Sequence, residues 1–283
     1  MNKGKCRICA GDAVLPYEGR NSISFIKCHS CGYIVASPMP SADVLSELYD
    51  ASHFRSSHHP ELTENREFLE QRKLQYIQDR DLLLGFTNKG RLLDFGCGNG
   101  RFLETFPDSF EKYGYEFNRT TTGYLKEHGG FRLIDTQKEL GGIRNDFFDV
   151  IILRGVIEHL IDPGATLKLL SKKLKPRGTL FICATPNADS PCALVYGTRW
   201  NQFTPPYHLH FFSPRTLSLL GARNSLAMIE CHFPYLGTPY EDERGDSDRF
   251  VRDAENFLDG LPLDASPPFP GTMMSLVFRK VRV

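Results

Sequence analysis

A glycine-rich turn between an apolar run and a helix start constrains this chain more than any other feature. Leu92-Leu93-Asp94-Phe95-Gly96-Cys97-Gly98-Asn99-Gly100 places three glycines at alternate positions directly after a predicted strand, Arg91–Phe95. Glycine lets the chain turn sharply and lets backbone approach a ligand, and the helix that follows offers unpaired N–H groups to an anionic group. From residue 90 onward, strand and helix patterns alternate: strands at Lys112–Glu116, Phe131–Asp135, Phe147–Leu153 and Gly178–Ala184, helices at Asn99–Phe106, Thr120–His128 and Pro163–Leu174. That alternation predicts a parallel sheet with crossover helices. Two late β-rich segments, Leu226–His232 and Met273–Val281, complete the sheet.

The glycine spacing is G-x-G-x-G rather than the G-x-G-x-x-G of dinucleotide enzymes, with Asp94 two positions before the first glycine. Glu116 closes the next predicted strand, eighteen positions after Gly98. A carboxylate there suits the two hydroxyls of a ribose.

On these residues the chain resembles the class I methyltransferases that use S-adenosylmethionine (SAM). LLDFGCGNGRFL is similar to their first motif, and Phe148-Asp149-Val150-Ile151-Ile152-Leu153-Arg154-Gly155-Val156-Ile157-Glu158-His159 to their fourth strand and the turn after it. Leu174-Lys175-Pro176-Arg177-Gly178-Thr179-Leu180 is similar to the turn into their fifth strand. The resemblance implies an α/β, Rossmann-like, doubly wound seven-stranded mixed sheet. It implies SAM binding by Asp94, Gly96, Cys97, Gly98, Gly100, Glu116 and Arg154.

Methyl transfer is an in-line displacement, so the protein must align the acceptor and, for an OH, NH or acidic CH, take its proton. Histidine suits that task near neutral pH. His159 follows the fourth strand, and a second group, Pro205-Pro206-Tyr207-His208-Leu209-His210-Phe211-Phe212-Ser213-Pro214, lies in a long insertion at about 186–225. This block resembles one found in small-molecule methyltransferases, including deoxysugar C-methyltransferases. By that resemblance His159 and His208 are the catalytic candidates, with Tyr207 and His210 in support. The alternative for Glu158-His159 is a structural one, capping a helix and fixing the loop, and it weighs less for His208; Trp200 and Phe203 serve packing as readily as acceptor stacking. Thr185-Pro186-Asn187 does not supply an Asn-Pro-Pro-Tyr motif for planar amino groups.

The first 40 residues carry Cys6-x-x-Cys9 and Cys28-x-x-Cys31, eighteen residues apart. Paired Cys-x-x-Cys knuckles point to one tetrahedral zinc ion. A segment this short has little core of its own, so a metal would stabilise it. Short strands are expected at Ser22–Lys27 and Tyr33–Ala36. Residues 1–40 therefore read as a zinc-ribbon module, 41–87 as a helical cap or lid with helices at Ser41–Tyr49 and about Glu61–Phe86, and 88–283 as the SAM-binding domain. The helical seam from Leu62 to Leu83 is expected to pack on the main domain rather than to zip a dimer. His53, His58 and His59 lie in a polar stretch read as an exposed loop or lid. No function is drawn from Tyr240–Pro270.

Lys plus Arg and Asp plus Glu are 34 each, so the net charge is zero, which disfavours a nucleic-acid partner. Neither a membrane span nor a secretory signal is apparent, and a cytoplasmic location is expected. The expected reaction methylates a small polar acceptor such as a nucleotide-linked or glycan sugar. The alternatives are an RNA-modifying methyltransferase and a non-catalytic SAM-binding or partner-docking protein.

Overall fold

The computed structural model describes residues 5–11, 14–21, 23–41, 43–45, 66–264 and 266–281. Its main sheet has seven strands: β4 (Gly90–Phe95), β5 (Phe110–Tyr115), β6 (Arg132–Ile134), β7 (Phe148–Arg154), β8 (Leu174–Pro186), β10 (Leu226–His232) and β11 (Met273–Lys280). Their order is β10-β11-β8-β7-β4-β5-β6. β4 pairs in parallel with β5 and β7, β5 with β6 and β7 with β8, whereas β11 runs antiparallel between β8 and β10. The expected mixed sheet is present. After β4 the chain steps to β5 on one side and later returns to β7 on the other, which opens a crevice at the carboxyl ends of these two strands.

Side-chain alternation along the central strands explains the layers. Leu93, Phe95, Ile151, Leu153, Leu180 and Ile182 share one buried cluster. It takes in Leu140 of α4 (Gln137–Gly142), Leu167 and Leu170 of α5 (Pro163–Lys173) and Leu217 and Leu220 of α7 (Pro214–Ala222). Leu92, Val150, Ile152, Phe181 and Val277 face the other way. They meet Leu83 of α1 (Arg66–Leu84), Phe102 and Leu103 of α2 (Arg101–Glu104) and Leu125 of α3 (Arg119–His128). Each side chain so buried stabilises the fold by about 1.5–3 kcal/mol relative to exposure. Leu83 of α1 is wholly buried on this face, as the expected packing of the long helix requires.

Several element ends differ from the sequence reading. Gly100 has φ +80 and precedes the first turn of α2, so the helix begins at Arg101 rather than Asn99. β8 starts at Leu174 because Leu174 already pairs with Phe148, four residues before the expected start. The tail folds into α8 (Glu243–Leu258), anchored by hydrogen bonds from the buried Tyr196 and Tyr235 hydroxyls to Asp253 and Asp246.

A second sheet has the order β1-β2-β3-β9: β1 (Val14–Arg20), β2 (Ile23–Cys28), β3 (Ile34–Ala36) and β9 (His210–Phe211). Its fourth strand comes from the insertion, where Ile34 pairs with Phe211 and Val35 with His210. Phe25, Ile34, Trp200, Phe203 and Phe211 pack into a third buried cluster with Cys192 and Tyr196 of α6 (Pro191–Tyr196). The stretch holding His53, His58 and His59 lies outside the described residues. Among the described residues no helix is long and apolar enough to cross a membrane.

Candidate active site

A cavity of about 570 Å³ opens at the carboxyl ends of β4 and β7. Asp94, Gly96, Cys97, Gly98, Glu116 and Arg154 all line it. Gly98 has φ +53, and a Cβ built on it would meet nothing within 4 Å, so its bare backbone faces open space. A Cβ on Gly100 would overlap the Phe131 ring. That glycine is needed for packing beneath the loop.

Glu116 holds the loop's shape. Its Oε2 accepts from Gly98 N–H at 2.9 Å, and its Oε1 from Phe117 and Asn118 N–H at 2.9 and 2.8 Å. Asp94 is buried, and its Oδ1 has no hydrogen-bond partner. Burial pushes the Asp94 carboxyl up to about 7, with Glu116 adding to the rise and Arg154 opposing it. An orphaned carboxylate oxygen, a bare glycine backbone and a second carboxylate on one cavity wall fit the amino group, main body and ribose of SAM.

Arg154 sits at the end of β7 with Nε 2.8 Å from Asp79 Oδ2 of α1. Its guanidinium lies over the Tyr76 and Phe102 rings, 4.6 and 5.5 Å from their centroids. Arg154 thus lines the cavity while fastening α1 to the sheet.

Beyond the glycine loop, Glu158, His159 and His208 converge, their ligand atoms within 4.8 Å of one another. His159 Nδ1 donates to the Tyr207 carbonyl at 2.9 Å, and His208 Nδ1 to the Gln202 carbonyl at 2.7 Å. A carbonyl only accepts, so in each neutral ring Nδ1 carries the hydrogen and Nε2 the lone pair. The two rings meet edge-on with centroids 4.8 Å apart. Glu158 is buried, its Oε2 accepting from Thr185 Oγ1 at 3.3 Å, and burial raises its carboxyl to about 8. Two imidazole lone pairs beside a carboxyl suit proton removal, and as a ligand set they could also hold a cation.

The four knuckle cysteines also meet. Cys6 Sγ lies 3.7 Å from Cys31 Sγ, and Cys9 Sγ 3.6 Å from Cys28 Sγ. These separations far exceed a disulfide bond of ~2.05 Å. They match the ~3.8 Å edge of a tetrahedron with Zn–S bonds of ~2.3 Å. Ile8 and Gly11 N–H groups point at Cys6 and Cys9 sulfurs at 3.4 Å, orienting the ligands as outer-shell donors do. The residues present fit a zinc ion.

Residues 68–230, more than half the chain, match the methyltransferase-domain family. The chain belongs to that family. It is an S-adenosylmethionine-dependent methyltransferase of the class I fold. Among curated relatives, this methyltransferase is 27% identical over 169 residues to a ubiquinone biosynthesis O-methyltransferase of Bartonella tribocorum, covering 56% of this chain and 68% of that one. It is 30% identical over 125 residues to a tRNA U34 carboxymethyltransferase of Trichodesmium erythraeum, covering 40% of this chain and 37% of that one. The chain thus spans from about a third to two thirds of the length of these two relatives. Among solved structures, it is similar to a Burkholderia thailandensis 1,6-didemethyltoxoflavin-N1-methyltransferase with bound S-adenosylhomocysteine. There the TM-score is 0.54 at 13% identity, over 94% of this chain and 99% of that one, a likeness of fold.

Within the methyltransferase, Tyr207 contributes its backbone carbonyl to His159. His210 stands apart from the cavity: it is buried, its Nε2 donates to the Leu160 carbonyl at 2.6 Å, and its Nδ1 accepts from the Tyr33 hydroxyl. Burial lowers it to about 4, so it stays neutral. Trp200 and Phe203 are packed in the third cluster and do not line the cavity. Sequence reasoning missed Asp79, although Tyr76 three positions earlier marked the same face of α1. It also missed Tyr235, after β10, and Tyr240 and Phe269 of the polar tail, all of which line the cavity.

Proposed function

We propose that the methyl acceptor is a small hydroxyl-bearing molecule bound beside Glu158, His159 and His208, and that the histidine pair takes the hydroxyl proton as the oxygen is methylated. The observation that carries this reading is the pair itself: both Nδ1 atoms are committed to carbonyls, so both lone pairs sit on Nε2. Bound SAM supplies an electrophilic methyl group on a sulfonium sulfur. Asp94 and Glu116 hold the cofactor's polar groups and the Gly98 backbone lies against it. His159 or His208 accepts the proton on Nε2, and the Tyr207 and Gln202 carbonyls keep hold of the Nδ1–H of the resulting imidazolium. The relative from Bartonella tribocorum is named an O-methyltransferase, which agrees with an oxygen acceptor.

The acceptor wall supports a molecule without a large anionic group. Among the described lining residues the permanent cations are Arg72 and Arg154, and Arg154 bonds Asp79. A nucleotide diphosphate asks for more than this, so of the nucleotide-linked and glycan sugars expected from the sequence the nucleotide-linked kind fits less well, and an uncharged sugar or a phenol fits better. A zinc ion on Cys6, Cys9, Cys28 and Cys31 completes the proposal, with a structural role because four thiolates leave no open position.

The test is release of S-adenosylhomocysteine with a panel of phenols, free sugars and hydroxy acids, using the wild type and the His159→Ala and His208→Ala variants. A hydroxylated substrate should be turned over, and each variant should lose about 10²-fold or more in rate while cofactor affinity holds. Undiminished turnover in both variants would contradict the assignment. So would a second bound metal equivalent lost with either histidine, which would make them ligands.

A further inference from the structure

The segment carrying His208 is gripped from both sides by the four-cysteine hairpin. On one side, Asn21 in the turn between β1 and β2 donates from Nδ2 to the Pro205 carbonyl at 2.7 Å. On the other, Ala36 N–H donates to the Leu209 carbonyl at 2.9 Å, and β9 pairs with β3. Tyr33, two residues after Cys31, gives its hydroxyl to His210 Nδ1 and lies nearly parallel to that ring, 13° apart with centroids at 5.9 Å. His210 passes the hold onward through Nε2 to the Leu160 carbonyl, and Leu209 N–H donates to the Glu158 carbonyl at 2.9 Å. His208 precedes Leu209 and His159 precedes Leu160. Both histidines therefore hang on one hydrogen-bonded seam whose far side is the hairpin.

We infer that Tyr33 and the cysteine-bearing hairpin are positioning elements of the acceptor site, setting where His208 stands relative to His159. The inference rests on the reading above that these two histidines meet the acceptor. Glu116 holds the N–H groups of Gly98, Phe117 and Asn118, whereas the hairpin's bonds run to Pro205, Leu209 and His210, so cofactor binding should be indifferent to it. The hairpin in turn depends on its cross-link, because its buried residues Cys6, Ile8, Cys28, Cys31, Tyr33 and Val35 reach a core only by joining that of the main domain. The knuckle is also tied on directly, by Arg223 Nη1 donating to the Arg7 carbonyl at 2.9 Å.

Trp200 is the sole tryptophan, is 2% exposed, and lies 6.4 Å from the Phe211 ring of β9. It reports on this seam without any acceptor. The experiment uses the full chain as wild type, Tyr33→Phe and Asn21→Gly, and wild type treated with a zinc chelator. Three quantities are read: acrylamide quenching of Trp200, the His208 and His159 imidazole resonances, and calorimetric affinity for S-adenosylhomocysteine. Both substitutions and chelation should raise quenching and move the His208 resonance, while affinity stays within about twofold of wild type, a ΔΔG under ~0.5 kcal/mol. Unmoved histidine resonances and unchanged quenching in both variants would overturn the inference. So would a fall in affinity parallel to the quenching, since the hairpin would then support the whole fold. Asn21→Gly keeps the test open if Tyr33→Phe fails to fold, because Asn21 is exposed and holds φ +53, which glycine adopts freely. A wild type that binds no S-adenosylhomocysteine would strike at the methyltransferase reading, whereas quenching and resonances still judge the hairpin.

Discussion

Asp94 carries the sharpest consequence at the scale of one residue. Its carboxyl is pushed up to about 7 by burial, so without cofactor it is protonated below that pH and ionised above it. A cationic amino group docking there requires the carboxylate. SAM affinity should therefore be full above about pH 7 and fall as pH drops through it, by roughly tenfold per unit at the limit. Calorimetry between pH 6 and 8 measures this, and Asp94→Asn should flatten the profile as well as weaken binding. The stability of the cofactor-free protein should run the opposite way. A carboxyl raised in the folded state opposes folding once the unfolded chain can ionise, so stability declines as pH climbs from ~4 through about 7. Gly98→Ala tests the neighbouring position: a side chain there meets no protein atom, but it intrudes on the cavity at positive φ and should cut SAM affinity.

Among the elements, α1 and the insertion carry the cavity's walls. The Asp79–Arg154 pair joins α1 to β7, with side chains only 8% and 11% exposed. Asp79→Ala strands a buried guanidinium and should cost about 3 kcal/mol in urea unfolding, and a paired Asp79→Leu, Arg154→Met exchange should recover much of it. α7 begins with a reciprocal Ser213–Thr216 capping box, so Ser213→Ala should cost about 1 kcal/mol by the same measurement. The central strands were legible in sequence because strands buried on both faces read as continuous apolar runs, as Val150–Leu153 does. β9 was not: it is two residues long, and its partner Ile34–Val35 lies far back in the chain. Nor was the part played by the tail. Its polar helix α8 reads as solvated, yet Tyr240 and Phe269 on either side of it line the cavity. The glycine loop could be read because its chemistry is local, whereas the meeting of His159 with His208 depends on a seam of backbone hydrogen bonds that leaves no periodic trace.

For the molecule as a whole, the proposed reading divides the labour among three sets of groups: a carboxylate-and-glycine wall for the cofactor, a histidine pair for the acceptor, and a cysteine hairpin behind the histidines. Metal analysis of the purified protein should find about one zinc per chain, and Cys28→Ser should abolish it. A metal-free protein with its hairpin intact would refute the zinc assignment. The division of labour itself is tested most directly by calorimetric titration of S-adenosylhomocysteine into wild type, Glu116→Ala and His208→Ala. Clear binding to wild type, weakened by Glu116→Ala and unchanged by His208→Ala, is the predicted result. Loss of binding in His208→Ala, or indifference to Glu116→Ala, would contradict the separation of cofactor wall from acceptor wall.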